Sequence, residues 1–487
     1  SRSAALASLE AALRLLREGN RSTVFLGPGS YVLTGSHTFD RPVRVIGGLS
    51  SDAWRSTSER TQLKVLPGEG EDSTAGVLLA DGGALTLRRL DVDAPVAVPI
   101  VRGEEGSSLI IEQSTLRTRH SLGLLLTGGV LRMTDTSLSV PRGGRSIRSE
   151  QGSSLEIRRA ELAPLEISRS DYRISETTLT ATPITTEAAT ALIARESRGT
   201  LEGSVVRSDA RENHLLLLDL SGGRLRVSST ELVGEAVSGI TLARATGTEL
   251  LIDKCELHGS GAEAYLYGIV SRRGDLTITN SVLSATKSGS ALGISLDGGS
   301  ALIAHTNLLI SEVTRSYGLS VDNMRSFRLL NSQLHRLSAN GTRSEEHTLL
   351  YLDGPIDTLT VAGNNMWGWQ RLLTDGEAAR SSWGLTSPGV LRKVEELHRA
   401  TVSLPSVELF RAYENIAESA DRTFSAGSQL LTQQEYSLQL GSGSVRAGVP
   451  IDEEGVRSPL ESDLRGTTRA PEETGSNRDP DIGAVSF

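Results

Sequence analysis

The sequence predicts an all-β fold, a right-handed parallel β-helix solenoid with an N-terminal capping helix and a mixed C-terminal capping region. Three observations predict it. Short apolar segments of one form recur every 22–26 residues over much of the chain. Within each segment apolar residues alternate with period two, the signature of a strand. The stretches between them are rich in Gly, Ser and Thr and carry no helical periodicity.

The recurring segments are LIIEQSTL (109–116), LRMTDTSL (131–138), LEIRRAEL (155–162), LRVSSTEL (225–232), LLIDKCEL (250–257), LTITNSVL (276–283), LIAHTNLL (302–309) and FRLLNSQL (327–334). LTLRRL opens the series at Leu85, and LTVAGNNM (359–366) reads as its last member. The shared form is apolar, any, apolar, two variable, small or polar, any, apolar. YRISETTL (172–179) and LEGSVV (201–206) are irregular members between Leu162 and Leu225. A second strand recurs as GLLLT (123–127), GITLA (239–243), GISLD (293–297) and GLSVD (318–322). Two or three short strands per unit, joined by tight turns, coil once per repeat. Each strand then pairs in parallel with its copy in the next coil. Leu and Ile stack inside, and Ser, Thr and Asn stack at the turns. Strand twist makes such a coil right-handed. A leucine-rich horseshoe would need a helical segment in each unit, which the turn-rich linkers do not supply.

A solenoid exposes raw core and unpaired strand edges at its ends and therefore needs caps. SAALASLEAALRLLREG (3–19) places Leu6, Leu9, Leu13 and Leu16 on one helical face, with Gly19 as a stop. This predicts a capping helix within residues 1–21 and a β-helix over 22–370. Over 371–487 the repeat lapses. SPGVLRKVEELHRATVSL and VELFRAYENIAESADRTF carry helical spacing, which predicts a helical and loop insert followed by capping strands. The last strand is expected in DPDIGAVSF (479–487), with Asp463 and Arg469 nearby as polar partners.

Composition narrows the function. Apolar residues make up 38% of the 487 residues and aromatics 4%, so the core must be built from Leu, Ile, Val and Ala. A net charge of −9 argues against nucleic-acid binding, which needs a basic face. Of the 50 basic residues only Lys64, Lys254, Lys287 and Lys393 are lysines, a bias that reads as genomic composition. Cys255, the single cysteine, allows no internal disulfide and no cysteine metal cluster. It occupies a repeat position taken elsewhere by Ser, Thr or Asn and reads as a small buried residue. No apolar run is long enough to span a membrane as a helix. The chain starts at Ser1 with no signal-peptide core, so any export signal is expected to have been removed.

Both ends carry a family resemblance. The helix, VFLGPGSYVL (24–33), VRVIGG (43–48), Trp54 and ERTQLKV (59–65) resemble the opening of bacterial pectin-lyase-like β-helix proteins. YSLQLGSGSVRAG (436–448), DLRGTTR (463–469) and DPDIGAVSF resemble the terminal signature of the choice-of-anchor Q domain family. Ser442-Gly443 stands where that family has Ser-Pro, and Val485-Ser486-Phe487 replaces its aromatic-acidic ending. The resemblance implies an exported bacterial protein, periplasmic or at the cell surface. A lipid anchor, if one exists, is expected N-terminal to the sequence in hand.

Chemistry has few candidate residues. The eight histidines show no ligand spacing, and no nucleophile-elbow or phosphate-loop motif occurs. GISLD, GLSVD and LLYLD end in Asp297, Asp322 and Asp353, and LLLLD and VLLAD place Asp219 and Asp81 at what reads as the same position. Thr127, Ala243 and Ser271 would fill that position in other coils. In register, Asp297, Asp322 and Asp353 would stand about 5 Å apart on one edge. Each sits where a strand turns, so Asx-turn bonding explains it without function. Saccharide binding, Ca²⁺ binding or acid–base cleavage of a glycosidic bond are the functional alternatives. Trp367 and Trp369 in NNMWGWQ offer either sugar-stacking faces or an apolar anchor for the C-terminal cap. The expected function is therefore an envelope protein, structural or binding a glycan or an envelope protein, without catalysis and without a required cofactor. The alternative is a polysaccharide lyase or glycoside hydrolase acting on an acidic or neutral glycan.

Overall fold

The computed structural model describes residues 8–18, 22–50, 55, 57, 59–66, 78–95, 98–182, 188–208, 212–337, 347–376, 390–394, 396, 410–413 and 415–417. Leu6, Trp54, Trp383, Asp463, Arg469 and the DPDIGAVSF ending lie outside these residues. The chain divides into two compact units, Ser1–Asp209 and Ala210–Phe487. Each is a parallel β-solenoid.

The first unit opens on the predicted helix, Leu9–Glu18. Ser8 caps it, its Oγ accepting the Ala11 N–H at 3.2 Å. Leu9, Leu13 and Leu16 are buried, and the helix packs on the first strands, Thr23–Phe25 and Gly29–Thr34. Glu10 accepts the Thr34 N–H at 3.0 Å, so a carboxylate satisfies a donor that has no further strand to meet.

Behind the helix the repeats stack as the sequence pattern demands. Leu85, Leu109, Leu131, Leu155 and Tyr172 follow one another in parallel register. The next position is Gly199, so this unit begins two residues before Leu201. The reason is steric. The buried Tyr172 ring fills the space that a Cβ on Gly199 would need. A large residue facing a small one conserves volume and hides the repeat from sequence inspection. Outward positions carry many arginine–carboxylate pairs from coil to coil, among them Arg88–Glu112 at 3.5 Å, Arg132–Glu156 at 3.4 Å and Arg159–Asp135 at 2.6 Å. The arginine bias thus has a structural use. The Arg159 hydrogen bond holds the Asp135 carboxyl below its ordinary range.

In the second unit Leu225, Leu250, Leu276, Ala301, Phe327 and Leu359 form one inward column, and Phe410 follows Leu359 in register. Two expectations are corrected here. The unit read as starting at Leu302 starts at Ala301, because Leu302 is the half-exposed neighbour of a small inward residue. The segment VELFRAYENIA, read as helical, contains a strand at Phe410–Tyr413 paired in parallel with Ile356–Ala362. Arg371–Asp375 likewise pairs in parallel with His347–Leu352. Coiling therefore continues beyond residue 370.

The polar position of the repeat explains why the coils lock in register. At each turn one residue adopts a left-handed conformation: Lys254 (φ 55°), Asn280 (φ 48°), His305 (φ 49°) and Asn331 (φ 48°). The residue after it is buried, and its N–H needs a partner beyond the regular ladder. The side chain one coil later supplies it. Cys255 N donates to Ser281 Oγ at 3.1 Å, Thr306 N to Ser332 Oγ at 3.2 Å, Ser332 N to Asn364 Oδ1 at 2.9 Å and Asn364 N to Asn415 Oδ1 at 3.0 Å. Each hydroxyl also donates to the carbonyl two residues back, as Ser281 does at 2.7 Å. The first unit repeats the device, with Thr177 N donating to Ser204 Oγ at 3.1 Å.

Cys255 is a member of this column, fully buried, with Sγ donating to Asp253 O at 3.2 Å. Burial pushes its thiol up to about 12. The folded protein should resist alkylation by iodoacetamide at neutral pH and react fully in denaturant, as read by mass spectrometry. Cys255→Ser should change stability by less than about 1 kcal/mol, since Ser makes the same two bonds.

Candidate functional site

One sheet face of the second unit gathers the residues of interest. It comprises Tyr265–Arg272, the later halves of Val282–Asp297 and Asn307–Asp322, then His347–Leu352 and Arg371–Asp375. Gly293 and Gly318 interrupt the alternation. A Cβ on Gly293 would lie 2.6 Å from Gly318 O, and one on Gly318 would lie 2.8 Å from Leu349 O. Only glycine fits, and the local bulge lets two successive residues turn inward. Leu292 and Tyr317 therefore point out before it, and Ser295, Ser320, Asp297 and Asp322 point out after it.

Asp297 and Asp322 stand in direct register on adjacent coils. Asp353 takes the next place, since the preceding Leu352 is the partner of Val321. Adjacent coils are about 4.8 Å apart. Gly298 (φ 77°) and Asn323 (φ 52°) turn the chain directly afterwards. Gly354 and Gly376 leave the room that the Asp322 and Asp353 carboxylates occupy, which a Cβ would fill. Burial first, then the charges of Asp297 and Asp353, push the Asp322 carboxyl above its ordinary range, against one favourable backbone N–H from Asn323. Like charges opposite one another destabilise a sheet, so this column differs in kind from the arginine-paired columns of the first unit.

The other members expected in the column stand elsewhere. Asp219 lies mid-strand, in the long strand Glu212–Ser228, opposite Arg244, with which it pairs at 2.9 Å. Its level is that of Val270 and Ser295, two residues before Asp297. Ser271 and Ala243 are buried, and the residue opposite Asp297 is Arg272. Asp81 and Thr127 belong to the first unit.

The two tryptophans do not join the acids. Trp367 is 42% exposed but sits opposite His335 on another face of the coil. Trp369 is buried at 8% exposure, its Nε1 donates to Leu334 O at 2.9 Å, and its ring edge packs over Gly318. Its ring is therefore not offered to solvent for stacking.

The aromatic partners of the acids are tyrosines. Tyr317 and Tyr351 meet edge to face with centroids 5.7 Å apart, half-exposed beside Ser320 and the carboxylates. Burial, followed by the charge of Asp353, raises the Tyr351 hydroxyl. Period two in LLYLD already aims Tyr351 and Asp353 to one side. Tyr317 was hidden because the bulge at Gly318 breaks that period. The face thus offers ring surfaces for apolar sugar faces, and hydroxyls and carboxylates for sugar hydroxyls. The three carboxylates form a line. Among the described residues no group of three or more His, Cys, Asp or Glu converges to hold a metal ion.

No family model matches the chain, and no curated protein matches it. Among solved structures, tailspike protein 3 of bacteriophage CBA120 matches at 11% identity with a TM-score of 0.33. The match covers 78% of this chain and 59% of the tailspike chain, so it spans little more than half of that protein's length.

Proposed function

We propose that this chain is an exported bacterial envelope protein that binds a glycan on the second unit's tyrosine–carboxylate face without cleaving it. The observation that carries the reading is the convergence of Tyr317 and Tyr351 with Asp297, Asp322 and Asp353 on one face. Placement outside the cytoplasm rests on the resemblance of the chain's ends to exported β-helix proteins of the choice-of-anchor Q type. Asp353 is exposed and Asp297 half-exposed, a setting suited to hydrogen bonding rather than to keeping a catalytic proton from water. Binding is expected to need no metal, so a chelator should leave it unchanged.

Calorimetric titration with a panel of soluble polysaccharides tests this. Tyr351→Ala should weaken binding about tenfold, the effect of losing one stacked ring. Binding that is indifferent to Tyr351→Ala and to Asp322→Asn would remove the site from this face.

One observation favours a second reading, a glycoside hydrolase. Asp322 lies between two carboxylates and has its own pushed up, the pattern of an acid beside a nucleophile, and the coil spacing approaches that of retaining enzymes. Reducing ends released by the native protein and lost in Asp322→Asn would establish it and overturn the non-catalytic reading.

A further inference from the structure

The tyrosine pair is one end of a longer feature. His214 and Tyr265 occupy one column, two coils apart, with Gly239 between them. The Tyr265 ring lies over Gly239, where a Cβ would collide with it, and its hydroxyl reaches His214 Nδ1 at 3.3 Å. Tyr265 stacks on Tyr267 with centroids 5.0 Å apart. Tyr267 is in register with Leu292, and Leu292 with Tyr317. Tyr317 then meets Tyr351. Apart from Gly239, which lies buried under the Tyr265 ring, each member of the series is fully or half exposed. A continuous ridge therefore crosses the face obliquely, from His214 to Tyr351. Five coil steps at about 4.8 Å give it a length of roughly 24 Å.

We infer that this ridge binds a linear glycan lengthwise, as a series of subsites, and that the glycan is neutral or amine-bearing rather than acidic. The inference rests on the glycan reading above and extends it from a single site to an extended track. Two physical points carry it. Rings and an apolar side chain spaced coil by coil match a repeating ligand, because each coil presents the next sugar with a new apolar surface. Charge selects among repeating ligands. The Tyr351 end is flanked by Asp297, Asp322 and Asp353, with Arg272 in that column and Arg371 two coils beyond Tyr317 in the ridge's own column, and further down Asp219 and Arg244 neutralise each other. A polyanion laid on this track would meet an excess of carboxylates at that end, three against two arginines, whereas hydroxyls and ammonium groups would be favoured.

The test is calorimetric titration with N-acetylglucosamine oligomers from disaccharide to octasaccharide, their de-N-acetylated forms, and oligogalacturonate as the acidic control. Affinity should rise with length through the hexasaccharide, and oligogalacturonate should bind at least tenfold more weakly than neutral chains of equal length. Tyr267→Ala should weaken octasaccharide binding about fivefold to tenfold and leave the disaccharide unchanged, with unaltered thermal unfolding showing that the fold persists. Length-independent affinity, or a Tyr267→Ala variant equal to the native protein on the octasaccharide, would overturn the track while leaving a single site at Tyr351. Preferred binding of oligogalacturonate would overturn the charge assignment. Failure of every oligomer and every polysaccharide would overturn the glycan reading together with the track.

Discussion

Asn364→Leu should lower the stability of the second unit by roughly 3–5 kcal/mol, among the largest effects of any single substitution in the molecule. Asn364 is fully buried in the polar column. Its Oδ1 accepts the Ser332 N–H at 2.9 Å, its Nδ2 donates to Leu329 O at 2.9 Å, and it also donates to Asn415 Oδ1 at 3.0 Å. Leucine has the same branched, four-heavy-atom side chain and is somewhat larger, so no cavity confuses the result. What changes is that a buried N–H and a buried carbonyl lose their partners, at about 1–3 kcal/mol each. Asn364→Ser should cost less, because Ser serves this column elsewhere. Urea unfolding monitored by circular dichroism measures the difference. Hydrogen exchange should localise the loss to the coils around Ser332 and Asn415. An unchanged midpoint for Asn364→Leu would show that the column is incidental to stability.

Acid should weaken the second unit through His335. This ring is completely buried and its Nε2 lies 3.1 Å from Gln333 Oε1. Gln333 Oε1 accepts, so Nε2 carries a proton. Burial pushes its pKa down to about 3. The unfolded chain takes up a proton near the ordinary value of about 6.5. The contribution is therefore fully present above about 6.5 and is lost progressively as pH falls toward about 3, because the unfolded state binds the proton first. Over that window it amounts to roughly 5 kcal/mol. His335→Gln should flatten this part of the stability–pH profile. Urea midpoints measured from neutral pH down to about pH 4 decide it, and equal slopes for the native protein and the variant would refute the assignment.

Much of this architecture was legible in the sequence. Alternation named the inward columns, and the small or polar position of the repeat marked the hydrogen-bonded slot, including Cys255. The misreadings share a physical cause. Pattern matching tracks hydrophobicity, whereas register is fixed by backbone pairing. Leu302 drew the frame by one residue because the true inward residue is the smaller Ala301. Asp219 resembled Asp297 because both close an apolar run, yet the strand through Asp219 continues for nine more residues to Ser228. FRAYENIA fits the repeat form, with Asn415 in the slot, but its Ala and Glu favour helix, and parallel pairing with Ile356–Ala362 prevailed over propensity. The candidate site was half visible. The acids followed from period two, whereas Tyr317 emerged only with the bulge at Gly318. Trp369 looked available until its burial was known.

The polar column also bears on how such a chain changes over evolutionary time. Each slot residue accepts from the coil before it and donates its own N–H to the coil after it, whatever residues those coils otherwise contain. A coil is therefore an interchangeable part. Tandem duplication of residues 281–305 would set Ser281 above a second Ser281 and then Thr306, every acceptor in place, and would add one more Leu292, Ser295 and Asp297 to the outer face. Recombination between repeats can lengthen or shorten this unit by whole coils without a new core having to be invented. Natural variation among its relatives should then appear first as differences in coil number.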